Sequence, residues 1–317
     1  MKTLVTGGTG FAGSYLCDLL RHKSYEVVAT AHSRDEFSPP FEDHSTKILK
    51  MDISDFEQVR AVFESVRPNF VFHLAAKTFV PAAFKDPYGT YQVNTRGTMN
   101  LLEVMRSLSW DPRLVYVSTS AVYGKVGSRP ISEIDPANPD NPYAVSKRAA
   151  ELMVLQYVQH YNLDAVIARP FSHIGVGQST DFVVGAFVQQ IAAIAAGNRE
   201  PKILVGNVKA VRDFTDVHDV VRAYELMAQN GKRGEIFNLC SGQGIAIKEL
   251  LNILRGFVVR KIEVKGDRKL FRPSDVPVFI GNPEKARHVL HWRPEYNIKK
   301  TLREIFDYFL DLEQSSD

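Results

Sequence analysis

Short apolar runs recur through the first half of the chain, at residues 4–6, 27–30, 48–51, 70–74, 114–117 and 165–168. Runs of this length with little polar alternation predict strands covered on both faces. Between them, residues 12–21, 56–66, 88–108 and 142–161 repeat apolar side chains at three- and four-residue spacing, which predicts amphipathic helices. Strand–helix alternation of this kind predicts an α/β fold, a doubly wound parallel sheet with right-handed crossovers. After residue 169 the rhythm changes. Loops such as "HIGVGQSTD", "GNREPK" and "KLFRPSDVP" lengthen and gain Gly, Pro and charge, while helical patterns persist at 183–196, 217–229, 247–254 and 283–290. The expected organisation is a first domain over residues 1–170 and a smaller α/β lobe over residues 171–317. That lobe lies over the open end of the sheet, with some of its segments returning to the first domain.

The first strand runs directly into "VTGGTGFAGSYL", where Gly7, Gly10 and Gly13 are spaced three apart before a helix. Glycines there let the backbone turn, approach a pyrophosphate and pack helix on strand, while the helix N-terminus offers N–H groups and a positive dipole end. This predicts a Rossmann dinucleotide site, with Phe11 and Ala12 in the phosphate-binding turn. At the end of the second strand an acidic residue would bind a ribose 2′-hydroxyl. Here "VVATAHSRDEF" has Ala31, then His32, Ser33 and Arg34. Lacking that carboxylate and followed by groups able to hold a 2′-phosphate, the loop favours NADP(H), with NAD(H) as the second choice because Asp35 and Glu36 follow. Asp52 and Ile53 are expected to bracket the adenine, and Leu74, Ala75 and Ala76 to let the cofactor lie against the backbone.

"NPYAVSKRAAE" places Tyr143 and Lys147 four residues apart behind Asn141 and Pro142, a cap and a first-turn proline. On one helix face the lysine cation is expected near the tyrosine ring, drawing the phenol pKa down from ~10. Thr119 in "VSTSAVYG" ends a strand facing the same crevice, where its hydroxyl could hold a reacting oxygen beside Tyr143.

Composition narrows the possible partners. A net charge of +3 argues against nucleic acid or a membrane surface. Two cysteines, Cys17 and Cys240, form no disulfide framework, and suit a reducing cytoplasm. Nine histidines include no HExxH pattern, and His288 and His291 lack partners, so no metal is expected. "MKTLVTGGTG" leaves no room for a signal peptide, and the apolar stretch 182–197 falls short of the ~20 residues of a membrane span.

The motifs "TGGTGFAG", "HLAAKTFVP", "VNTRGTMNLLE", "STSAVYG", "NPYAVSK", "VRDFTDVHD" and "FNLCSG", in this order, resemble the extended short-chain dehydrogenase/reductases that act on nucleotide sugars. The resemblance covers nearly the whole chain. It implies NAD(P) on the sheet domain, a sugar nucleotide on the second lobe, and catalysis by Thr119, Tyr143 and Lys147, the last two also touching the cofactor. "ARPFSHIGVGQ", "VGNVKAVRDFTDV" and "RPSDVP" are most similar to the GDP-mannose branch, in particular its 4-keto-6-deoxy-sugar reductases. A GDP-sugar substrate is implied. Arg212 would meet its diphosphate, and Arg272 with Asp275 its nucleotide end. Thr78, Ser120 and Ser172 would also bind substrate, Ser172 standing where relatives often have asparagine. A homodimer through the helices at 88–108 and 142–161 is implied as well, with Leu101, Leu102, Leu155 and Val158 compatible either with that face or with the core.

Dehydratases of this family carry a glutamate two residues after the threonine, to take the C5 proton. Here that position is Ala121. A methyl group accepts no proton, so dehydration is disfavoured, and the resemblance of the arginine-bearing loops to the reductases makes ketoreduction the expected reaction. Alternatives are an NAD-dependent 4-epimerase, which uses the same triad, then a GDP-mannose dehydratase, and a non-catalytic NADP(H) sensor.

Overall fold

The computed structural model describes residues 1–33, 37–41, 46–127, 129–267, 270 and 276–315. Its first half alternates as the pattern predicts. The strands are Lys2–Thr6 (β1), Glu26–Ala31 (β2), Lys47–Lys50 (β3), Phe70–His73 (β4), Arg113–Val117 (β5) and Ala165–Pro170 (β6). The helices are Phe11–His22 (α1), Phe56–Val66 (α2), Val80–Lys85 (α3), Pro87–Tyr91 (α4), Gly97–Ser107 (α5) and Pro142–Tyr161 (α6).

The helix expected over residues 88–108 is divided. A π-helical turn, Gln92–Arg96, separates α4 from α5. Such turns widen the helix locally. At this one the buried Asn94 amide accepts from Lys77 N (2.8 Å) and donates to Lys77 O and Ser146 Oγ (both 2.9 Å). These bonds tie the helix to the loop after β4 and to α6.

The second half comprises Ser172–Ile174 (β7), Val183–Ala196 (α7), Lys202–Val205 (β8), Val211–Asp216 (β9) and Val217–Asn230 (α8). Ile236–Leu239 (β10), Gly244–Ala246 (β11), Ile247–Arg255 (α9), Glu263–Gly266 (β12), Val278–Phe279 (β13), Glu284–Leu290 (α10) and Ile298–Gln314 (α11) follow. Seven strands form one parallel sheet in the order β3-β2-β1-β4-β5-β6-β10. β10 is absent from the expected strands because a polar residue interrupts its apolar run. Asn238 is fully buried there, donating to Ile131 O at 2.9 Å and accepting from Tyr123 OH at 2.8 Å.

One sheet face packs against α1 and α8 through Leu16, Leu20, Val220 and Tyr224, the other against α2, α5 and α6 through Phe63, Leu101 and Val154. Burying each such side chain is worth roughly 1.5–3 kcal/mol, so burial on both faces holds the sheet in place. A third core, including Phe187, Ile191, Leu250 and Phe306, lies among α7, α9 and α11. Strand order reverses between β1 and β4, and the crevice outside the carboxyl ends of those strands is where an open α/β sheet binds ligands.

Candidate active site

Gly7 leaves β1 with φ +69°, and a Cβ on it would stand 2.8 Å from Ala75 N. A Cβ on Gly13 would strike the Gly7 carbonyl oxygen and the Gly8 Cα. Both positions therefore require glycine. Gly10 caps α1 without offering a side-chain acceptor, and the first turn holds no acidic residue. The amides of Phe11, Ala12 and Gly13 thus open the helix at the crevice with the positive dipole end behind them. Beneath the loop, Thr6 Oγ1 accepts from Ala75 N (3.3 Å) and faces His73 Nδ1 (2.7 Å). Leu74, Ala75 and Ala76 line the same wall.

Along the crevice, β2 ends at the buried Ala31, with His32 and Ser33 exposed beyond it. Asp52 Oδ1 accepts from Ser54 N and Oγ (2.8 and 2.7 Å), which leaves Oδ2 facing His32 Nε2 at 3.8 Å. Ile53 is buried against Gly97, and its carbonyl accepts from Asn100 Nδ2. Arg34 lies outside the described residues.

At the other end, Thr119 caps the 3-10 turn Ser120–Tyr123, its Oγ1 accepting from Ala121 N at 3.2 Å. Asn141 Oδ1 accepts from Ala144 N and fixes the start of α6, which carries Tyr143 and Lys147 into the crevice. Burial pushes the Tyr143 phenol above its ordinary pKa, and a hydrogen bond with Thr119 opposes the rise. Lys147 is 2% exposed, with Nζ 4.6 Å from the centre of the Tyr116 ring. Burial draws its pKa down to about 7, against the field of Glu151. The expectation that Lys147 sets a low phenol pKa is thus corrected. The ammonium settles over the Tyr116 face, and desolvation governs Tyr143.

Thr78, Ser120, Ser172 and Arg212 also line this crevice, Ser120 buried and Thr78 and Ser172 exposed. Arg212 is half-buried and donates through Nη1 to the carbonyls of Val211 and Val276 (2.9 and 2.7 Å). Arg272 and Asp275 lie outside the described residues. Sequence reasoning missed Tyr224 and Gln178. The Tyr224 hydroxyl and Gln178 Oε1 are buried without hydrogen-bond partners, and both residues line the crevice. Tyr224 is close enough to Tyr143 for the two phenols to raise Tyr224's pKa further, after burial. It lies among the buried residues Val217, Val220 and Val221 of α8, so its periodicity reads only as core.

The crevice encloses about 1830 Å³. A single small-molecule site takes roughly 300–1,000 Å³, so there is room for two ligands side by side. The glycine cradle and the open helix end fit a dinucleotide, and the orphaned Tyr224 hydroxyl lines the same crevice as Thr119 and Tyr143. Among the described residues no group of three or more His, Cys, Asp or Glu side chains could hold a metal ion. No described helix is long and apolar enough to cross a membrane.

A model of the GDP-mannose 4,6 dehydratase family matches residues 4–305. The chain is 33% identical over 308 residues to a GDP-6-deoxy-D-mannose reductase from Pseudomonas aeruginosa, covering 96% of this chain and 95% of that one. It is 32% identical over 292 residues to a GDP-6-deoxy-D-talose 4-dehydrogenase from Aggregatibacter actinomycetemcomitans, covering 92% and 91%. The solved structure of RMD from Pseudomonas aeruginosa complexed with NADPH matches with a TM-score of 0.85 at 32% identity, over 98% of this chain and 99% of that one.

Proposed function

We propose that this chain, which belongs to the GDP-mannose 4,6-dehydratase family of extended short-chain dehydrogenase/reductases, is an NADPH-dependent 4-ketoreductase. Its substrate is GDP-4-keto-6-deoxy-D-mannose and its product GDP-D-rhamnose or the C4 stereoisomer. The observation that carries this reading is the trio Thr119, Ala121 and Tyr143. A proton donor and its hydrogen-bond partner face the crevice, while the position for a C5 base holds a methyl group. The talose enzyme among the relatives acts on a GDP-6-deoxy sugar at the same carbon, which keeps both C4 configurations open.

NADPH, when bound, would supply the hydride for reduction at C4. Thr119 orients the carbonyl oxygen, and Tyr143, held protonated by burial, gives that oxygen its proton. Lys147, one turn along α6 from Tyr143, assists as a buried cation of the same crevice. The turn at Gly7, Gly10, Phe11, Ala12 and Gly13 holds the pyrophosphate. His32, Ser33 and Arg34 would meet the 2′-phosphate and Asp52 and Ile53 the adenine, while Leu74, Ala75 and Ala76 would let the cofactor lie against the backbone. NADH is a weaker substitute. Thr78, Ser120, Ser172, Arg212, Arg272 and Asp275 hold the GDP-sugar.

In this reading residues 1–170 bind the cofactor and residues 171–317 the substrate, with α8, β10 and α10 rejoining the first domain. The chain works as a homodimer in the cytoplasm, where its two buried cysteines stay free. Leu101 and Leu102 are fully buried core residues, while Leu155 and Val158 are partly buried and pack on that same core. Met99, Val145 and Leu152, exposed on α5 and α6, offer apolar surface for the dimer face. Sedimentation of wild type against Leu152→Glu tests this, with the variant expected as monomer.

The activity is tested by mixing the protein with NADPH and the keto-sugar nucleotide and following reduced nicotinamide. Turnover with a GDP-6-deoxyhexose product is expected. Failure to oxidise NADPH, with dehydration of GDP-mannose instead, overturns the proposal.

A further inference from the structure

We propose that Glu151 and Arg169 form a buried positioning pair that holds Lys147 as a cation and fixes the turn bearing Thr119 against the helix bearing Tyr143. The proposal rests on the ketoreductase reading for its kinetics but not for its titration.

Tyr143, Lys147 and Glu151 follow one another at four-residue intervals on α6, so they share a face. Glu151 has no exposed surface. Arg169, at the end of β6, grips it with two parallel bonds, Nε to Oε1 and Nη2 to Oε2, both 2.8 Å. Arg148 adds a third bond to Oε2 at 2.8 Å from the rim. Burial alone would raise the Glu151 pKa, but the Arg169 guanidinium more than offsets it and the group stays ionised.

The other side of the guanidinium reaches the catalytic turn. Arg169 Nη1 donates to Tyr123 OH at 2.9 Å and its Cζ lies 4.9 Å from the centre of that ring, while Tyr123 OH donates to Asn238 Oδ1. Tyr123 closes the 3-10 turn that Thr119 opens. A continuous buried chain therefore runs from α6 through β6 to the Thr119 turn and on to β10.

Lys147 is faced by His73 from β4, the Tyr116 ring from β5, and Tyr143 and Glu151 on its own helix, with Arg169 of β6 behind Glu151. His73 is neutral, its pKa drawn down to about 3 by burial and by Lys147. Of these groups only Glu151 is negative at neutral pH. A buried ion pair is often no more stabilising than apolar residues of the same volume. Its place one turn from the lysine, joined to the threonine's turn, gives it a use that packing alone would not.

The test is Glu151→Gln, which keeps the size and removes the charge. Competitive labelling with acetic anhydride, read by peptide mass spectrometry across pH, follows Lys147 in the full-length protein. Lys147 is expected to deprotonate about one pH unit lower than in wild type, a displacement of the size neighbouring charges produce, and the alkaline limb of kcat to move with it. Glu151→Asp, which keeps the charge, is expected to restore the titration. An unchanged Lys147 titration in Glu151→Gln overturns the proposal, even where kcat falls. Should that variant not fold, Glu151→Gln with Arg169→Met empties the pair of charge together, and a smaller downward shift, from loss of the nearer negative charge, is required of it. A shifted titration without keto-sugar turnover by wild type would reject the ketoreductase reading and leave this inference standing.

Discussion

The Ala121 amide donates to Thr119 Oγ1 across 3.2 Å, so Ala121 is held beside the threonine at the crevice wall. The bond fixes the backbone from which a base would have to reach the sugar. In Ala121→Glu a carboxylate would project from that fixed point. The variant is expected to exchange the C5 proton of the keto-sugar with deuterium oxide, read by mass spectrometry, while wild type does not. It should also reduce C4 more slowly, since a second charge enters the desolvated site. A variant with no C5 exchange would show that the missing carboxylate is not what separates this protein from a dehydratase.

Tyr143→Phe removes the proton donor without disturbing the fold of α6. Loss of a general acid typically costs ~10²–10⁴-fold in rate, and that fall in kcat is expected with NADPH affinity unchanged. The pH profile separates the two catalytic groups. Tyr143 stays protonated past the ordinary phenol range because its pKa is raised by burial. Lys147, drawn down to about 7, loses its charge as pH rises through neutrality. Activity of wild type is therefore expected to decline on the alkaline side of about pH 7, and Lys147→Met, already slow, should lack that limb.

His73 gives a stability test independent of turnover. Thr98 Oγ1 donates to Asn94 O and so accepts from His73 Nε2, while Nδ1 lies 2.7 Å from Thr6 Oγ1, which also accepts from Ala75 N. The proton on Nε2 is thereby fixed, and burial disfavours a second proton on Nδ1. Burial, then Lys147, lowers the folded pKa to about 3 from 6.5. The unfolded chain therefore binds the extra proton between those values. The stability contributed is complete above pH 6.5 and is lost as pH falls towards 3, by at most ~1.4 kcal/mol per pH unit. Urea unfolding from pH 7 down to pH 4 should show wild type losing more stability than His73→Asn. Parallel curves would mean that the ring is already charged or exposed.

Much of this site could be read from the chain because its signals are local. The glycine spacing, the Tyr143–Lys147 interval and the strand end at Thr119 each lie within a few residues, and the fold brings all three to one crevice. What escaped is set by tertiary contact. Arg169 meets Glu151 across 18 residues, and Tyr123 meets Asn238 across 115. Neither pairing leaves a period in the sequence, and Asn238 hides β10 by interrupting an apolar run. Tyr224 follows the same helical spacing as its valine neighbours, so only the solved position of its hydroxyl distinguishes it. The π-helical turn at Asn94 escaped for the same reason, because its bonds run to the Lys77 backbone and to Ser146 rather than along its own helix.

Cofactor choice turns on the end of β2. Ala31 is buried there and lines the crevice, with exposed His32 and Ser33 following. An aspartate at residue 31 would accept a hydrogen bond from a ribose 2′-hydroxyl and repel a 2′-phosphate. Ala31→Asp is therefore expected to weaken NADPH and strengthen NADH, changing the ratio of their dissociation constants by about tenfold or more (~1.4 kcal/mol). Nicotinamide fluorescence titrations measure both constants. Because part of the loss is charge repulsion, added salt should recover some NADPH affinity as the Debye length shortens from about 10 Å at 0.1 M, while NADH binding stays level. Equal binding of the two cofactors by wild type, or an unaltered ratio in the variant, would place the 2′-phosphate away from β2.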